Sequence, residues 1–120
     1  MLINELSKRT GITVHTIRFY EKSGLIKGKR NESVTSNNYY HYDEETVEKL
    51  ELIRYAKSVG FTIQEISQLI DAWFDKRLSQ SEKIKVLDEK LQFIEQQIQQ
   101  LVEMKEMIHQ FKLDVLENDC

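Results

Sequence analysis

Proline is absent from the 120 residues and glycine occurs only four times, at positions 11, 24, 28 and 60, so little in the chain interrupts a helix. Long helices and a mainly α fold are therefore expected. The single cysteine, Cys120, excludes an internal disulfide and by itself offers no metal-ligand spacing. No apolar run approaches the length that spans a bilayer, which argues against membrane insertion. Met1 to Arg9 mixes acids, bases and apolar residues, unlike a signal or transit peptide, so the expected location is the cytoplasm. Paired catalytic carboxylates, a Ser-His-Asp set, a glycine-rich phosphate loop and a Cys/His cluster are all missing, so neither an enzyme nor a bound cofactor is expected.

Charge is present but unevenly spread. Residues 1 to 42 carry seven Lys or Arg against three acids, a net +4, whereas residues 43 to 120 carry ten against seventeen, a net −7. A basic head on an acidic body is the layout of a polyanion-binding module held on a solvated support. At this length the chain can hold one core plus an appendage.

Periodicity places the elements. Ile3 and Leu6 share one face of a short first helix that Gly11 ends in the left-handed conformation. Thr13 caps a second helix whose apolar face is Val14, Ile17 and Tyr20, leaving His15, Thr16, Arg18, Phe19 and Lys22 to point elsewhere. Two short helices joined by a tight glycine turn form a helix-turn-helix. After Gly24, residues 25 to 42 lose the helical period and read as a hairpin with a long polar tip and an aromatic return arm, Tyr39 to Tyr42. Asp43 caps a third helix, Glu44 to about Ser58, with Val47, Leu50, Ile53 and Ala56 inward. Gly60 stops it. Thr62 and Glu65 form a capping box for a fourth helix whose apolar set is Ile66, Leu69, Ile70 and Trp73.

From Ser79 to about Leu116 neither Gly nor Pro occurs, and Ile84, Leu87, Leu91, Ile94, Ile98 and Leu101 alternate by three and four residues, with Ile108 continuing the stripe. That is a heptad seam. A helix of about 36 residues extends roughly 54 Å, too long to hide its seam inside a 75-residue head, so a second copy of the chain is the expected partner. The resulting division is a winged helix-turn-helix DNA-binding domain at 1–75, a dimerisation helix at 79–116 and a tail at 117–120.

A basic helix-turn-helix followed by a hairpin has a direct use: the second helix fits the major groove and the hairpin wing reaches the neighbouring backbone. His15, Thr16 and Arg18 then face the groove, and Arg18 suits a bidentate contact to guanine or phosphate. Tyr20, Tyr39 and Tyr40 are candidate phosphate contacts, and Lys27, Lys29 and Arg30 add charge at the wing base. An architectural DNA binder would use the same head but has no need of the long seam. A coiled-coil adaptor would leave the basic head unexplained.

The run Ile17-Arg18-Phe19-Tyr20-Glu21, followed by Gly24-Leu25-Ile26, Tyr39, Tyr42-Asp43, Leu52-Ile53-Arg54 and Gly60-Phe61-Thr62-Ile63-Gln64-Glu65-Ile66, resembles the MerR family of transcription regulators in both order and spacing. The resemblance covers residues 1 to about 75, and the long helix matches in character. It implies a homodimer joined by an antiparallel coiled coil, bound to an inverted repeat in promoter DNA. On binding an effector, the dimer distorts the DNA and so acts on RNA polymerase indirectly. By motif position it assigns Arg18, Tyr20 and Tyr39 to DNA. The family's wing arginine is replaced by Tyr40. Metal-sensing members carry cysteines before and after the long helix, where this chain has Leu78-Ser79-Gln80-Ser81 and Val115 to Cys120. The expected effector is a small molecule whose identity the residues leave open.

Overall fold

The computed structural model describes residues 1–30 and 40–118, with the main chain alone at Arg30. Tyr39, the expected hairpin tip and Cys120 lie outside the described residues. The chain divides into two compact units, Met1–Arg77 and Leu78–Cys120.

In the first unit, α1 spans Ile3–Thr10 and ends at Gly11, whose φ of 74° is the left-handed value expected of a glycine cap. Thr10 is buried yet satisfied: its hydroxyl donates to the Leu6 carbonyl and accepts from the Ile12 N–H. Helix α2, Val14–Lys22, starts as expected, with the Thr13 hydroxyl accepting the Thr16 N–H at 3.2 Å. Ile17 and Tyr20 are buried on its inner face, and Val14 is half-buried.

The hairpin appears as two short antiparallel strands, β1 Lys29–Arg30 and β2 Tyr40–His41, with Lys29 opposite His41 and Arg30 opposite Tyr40. Of the expected return arm, Tyr40 and His41 form the strand among the described residues and Tyr42 lies just past it. Tyr42 leaves the ladder because its main chain is taken by the start of the chain: its N–H donates to the Met1 carbonyl at 2.8 Å and its carbonyl accepts from the Met1 ammonium at 2.9 Å.

Helix α3 spans Glu44–Ser58, the sequence-predicted limits, and buries Val47, Leu50, Ile53 and Ala56. Helix α4, Ile63–Ile70, carries the complete capping box of Thr62 and Glu65. It runs into a π-helical turn, Asp71–Asp75, and this changes the inward residue. At 3.6 residues per turn Trp73 would follow Ile66 and Ile70 inward. The wider π turn alters the phase, so Ala72 is buried and Trp73 only half-buried. Leu6, Ile17, Ile26, Leu50, Ile53 and Ile66 are the fully buried side chains around which α1 to α4 pack. Arg54 extends from α3 to donate from Nη1 to the Thr10 carbonyl at 2.7 Å, which satisfies an end of α1 that helix geometry leaves without a partner.

The second unit is a single helix, α5, Gln80–Asn118, of 39 residues. Its start is capped by Ser79, whose hydroxyl accepts the Glu82 N–H at 3.3 Å and donates to the Glu82 carboxylate at 2.9 Å. At 1.5 Å per residue it is about 58 Å long. None of its residues is buried. Among the described residues, no helix is long and apolar enough to cross a membrane.

Candidate nucleic-acid interface

The turn at Gly11 and the cap at Thr13 fix α2 against α1, and that orientation decides which side chains are free. Burying Ile17 and Tyr20 on one side leaves His15 and Arg18 exposed on the other. Thr16 is half-buried, and its hydroxyl oxygen accepts from Thr13 Oγ1 at 2.9 Å, so it serves the helix start as well as the outer face. Tyr20 is only 7% exposed, and loss of water around the ring raises its phenol pKa. Any phosphate contact by Tyr20 must come from that remaining surface. Phe19 stands half in solvent, with its ring centroid 5.8 Å from that of Tyr20.

The wing supplies the remaining charge. Lys27 and Lys29 are exposed, and the Lys29 ammonium lies 3.9 Å from Asp43, a solvent-screened pair that leaves it available to a polyanion. Tyr40 is 45% exposed. Arg30 is placed through its main-chain pairing with Tyr40, while Tyr39 falls outside the described residues.

The structure brings Arg18 and Tyr40 together around one recess of about 340 Å³, lined also by Leu2, Ile3, Asn4, Glu21 and Tyr42. Lys27 is elsewhere. It borders a second recess, of about 410 Å³, with Lys49, Asp71 and Asp75. In that recess Lys49 lies 3.9 Å from Asp75 and 5.7 Å from the centre of the Phe74 ring. The mixed charge makes this second recess a poor seat for phosphate.

Three supporting residues escaped assignment from sequence. Glu21 and Tyr42 belong to the motif that carried the resemblance, yet nothing in their spacing says that they meet. The Tyr42 hydroxyl donates to Glu21 Oε1 and Oε2 at 3.2 and 3.1 Å, and the Gly28 N–H donates to Oε1 at 3.1 Å. Burial, reinforced by the hydrogen bond to Glu21, pushes the Tyr42 phenol up to about 12. Gly28 is required where it stands: a Cβ there would lie 2.7 Å from the Tyr40 Cβ and 3.0 Å from Glu21 Oε1.

Comparison with known proteins gives matches along both units of the chain. The family profile described as MerR HTH family regulatory protein matches residues 1–73, and that described as MerR, DNA binding matches residues 47–111. A probable heavy metal-dependent transcriptional regulator of Haemophilus influenzae is 35% identical over 121 residues, covering 99% of this chain and 91% of its own length. The HTH-type transcriptional regulator CueR of Salmonella typhi is 32% identical over 108 residues, covering 90% of this chain and 76% of its own length. Among solved structures, the transcription regulator PbrR691 from Ralstonia metallidurans CH34, in complex with lead(II), superposes with a TM-score of 0.73 at 27% identity, covering 90% of this chain and 82% of the other. These relatives are regulators, not enzymes. With its helix-turn-helix, wing and following helices matched in this way, the chain belongs to the MerR family of DNA-binding transcription regulators.

Proposed function

We propose that the chain acts as a homodimer on an inverted repeat in promoter DNA, each protomer reading one half-site with α2 and gripping the flanking backbone with its wing. Residues 1–75 are the DNA-binding head, 79–116 the pairing helix and 117–120 a tail. Arg18 is the side chain for a bidentate contact to guanine or phosphate, supported by His15 and Thr16. Lys27, Lys29, Arg30, Tyr39 and Tyr40 engage phosphates, as does Tyr20 through its small exposed surface. The observation that carries this reading is the sidedness of α2: Ile17 and Tyr20 bind it to the core while His15 and Arg18 stand exposed, with Arg18 on the same recess as Tyr40 of the wing. Such a helix presents its polar side to a groove as a rigid unit.

Pairing through α5 follows from its exposure. Ile84, Leu87, Leu91, Ile98, Leu101 and Ile108 stand exposed, Leu101 at 62% and Ile108 at 67%, and Ile94 is half-buried. An apolar stripe of this regularity is covered by a partner helix, here the antiparallel α5 of a second copy. RNA polymerase then responds to the geometry the dimer imposes on the promoter, with an effector setting that geometry.

Relatives described as heavy metal-dependent, and one solved with lead(II), raise metal as the effector class. Soft metals are held by several thiolates or imidazoles. Each copy of this 120-residue chain has one cysteine, and no three His, Cys, Asp or Glu side chains cluster suitably among the described residues. Within residues 1–120 Cys120 is the one thiolate donor, so a thiolate-held ion would need further donors beside it.

Equilibrium binding of the purified protein to duplexes selected from a random library, against unselected duplex, tests the proposal. Selected sequences should contain an inverted repeat, and log affinity should fall linearly with log salt. Equal binding to selected and unselected duplex, or a slope near zero, would rule it out.

A further inference from the structure

Glu21 is costly where it stands. It lies in the last turn of α2, where a carboxylate opposes the helix dipole, and it borders the same recess as Arg18, the side chain assigned above to DNA. Helix stability and DNA attraction both disfavour an acid at this place. Its contacts supply the reason for it. One carboxylate accepts the Gly28 N–H at 3.1 Å, seven residues along the chain, and the Tyr42 O–H at 3.1–3.2 Å, twenty-one residues along. These two donors sit just outside the two strands of the wing, Gly28 immediately before β1 and Tyr42 immediately after β2. A single side chain of the recognition helix thus holds both legs of the hairpin.

We infer that Glu21 is a positioning residue for DNA recognition, a strut that fixes the wing at one distance and angle from α2 so that both elements meet the duplex together. The inference deepens the DNA reading given above and rests on the wing touching DNA. Three further features make the joint stiff. Gly28 is packed so closely that an added Cβ would meet Tyr40 and Glu21. The other side of Tyr42 is pinned by reciprocal main-chain hydrogen bonds with Met1. The Tyr42 ring is itself buried. What the strut needs from residue 21 is an acceptor oxygen at the right reach, not a negative charge, and this separates it from a general electrostatic effect.

The test compares wild type, Glu21→Ala and Glu21→Gln as full chains, on a duplex enriched from a random library by the wild-type protein. Hydroxyl-radical footprinting reads the helix and wing contacts separately, and amide hydrogen exchange at Gly28 reads the joint without DNA. Glu21→Ala should retain protection at the central groove and lose it at the flanks. Affinity should drop about tenfold and the salt slope shrink by about two per dimer, one phosphate for each wing. Gly28 exchange should rise to that of an exposed amide. Glu21→Gln, which keeps the acceptor, should restore all of these. The strut is overturned if flank protection survives in Glu21→Ala, if Glu21→Gln behaves like alanine, or if central and flanking protection fall together with thermal stability. A wild-type footprint lacking flank protection would instead remove the wing from recognition, and the strut would have nothing to position.

Discussion

Arg18 and Tyr42 stand at opposite ends of residue-scale chemistry, one exposed to solvent and the other buried and hydrogen-bonded. Arg18 is exposed beside the wing, and a planar guanidinium can donate two hydrogen bonds to a guanine edge, so Arg18→Ala should cost about 1–3 kcal/mol of specific binding and relax the preference at one base pair per half-site. Competition binding across single-base variants of the selected duplex measures both effects; unchanged preference at every position would mean that α2 faces the groove in another rotation. Tyr42 works by staying neutral. Burial and the Glu21 hydrogen bond raise its phenol to about 12 from an ordinary value of 10. A raised folded-state value means that its stabilisation is fully present below pH 10 and is lost as pH rises through about 12. Tyr42→Phe should lower stability by about 1 kcal/mol near neutrality, and the difference from wild type should close between pH 10 and 12 in denaturant titrations.

At the scale of single elements, caps decide where helices begin. The Asp43 carboxylate accepts both the backbone N–H and the hydroxyl of Thr46 at 3.0 Å, and these two donors hold its pKa below the usual carboxylate range. The charged form is therefore favoured on folding. The cap is fully effective above the ordinary aspartate value and fades as pH falls through the lowered one. Asp43→Ala should destabilise the head by about 1 kcal/mol in urea unfolding, with Asp43→Asn retaining most of it because an amide oxygen also caps. The π turn at Asp71–Asp75 is a different kind of element, since no local residue type announces it. It moves Ala72 into the core where an ideal helix would have put Trp73.

The whole molecule depends on a surface that one chain leaves open. A helix of 39 residues with none buried carries a regular apolar stripe, and water contact along it is unfavourable in proportion to its area. Sedimentation equilibrium should give twice the chain mass at micromolar concentration. Replacing Leu91 and Ile98 together by Asp should yield monomers and abolish binding to the full inverted repeat, while weak binding to any duplex persists through the basic head. A wild-type monomer with a folded α5 would contradict the pairing role of the seam.

Local chemistry made most of the architecture legible in advance. Helix starts at Thr13, Asp43 and Thr62, stops at Gly11 and Gly60, and the three-four spacing from Ile84 to Leu101 are written in neighbouring residues, because capping and amphipathic burial act within a turn or two. The motif from Ile17 to Ile66 likewise identified the family from order and spacing. What sequence could not supply were contacts between residues far apart in the chain. Glu21 meeting Gly28 and Tyr42, Arg54 reaching Thr10, and Met1 pairing with Tyr42 depend on how α1, α2, α3 and the hairpin pack. Tyr20 has the composition of a surface phosphate ligand and the position of a core residue, and only packing around Ile17 decided its burial. Sequence thus determined the elements and the class of protein. Tertiary structure decided which side chains stay exposed and which hold those in place, because burial and long-range hydrogen bonds exist only once the elements have met.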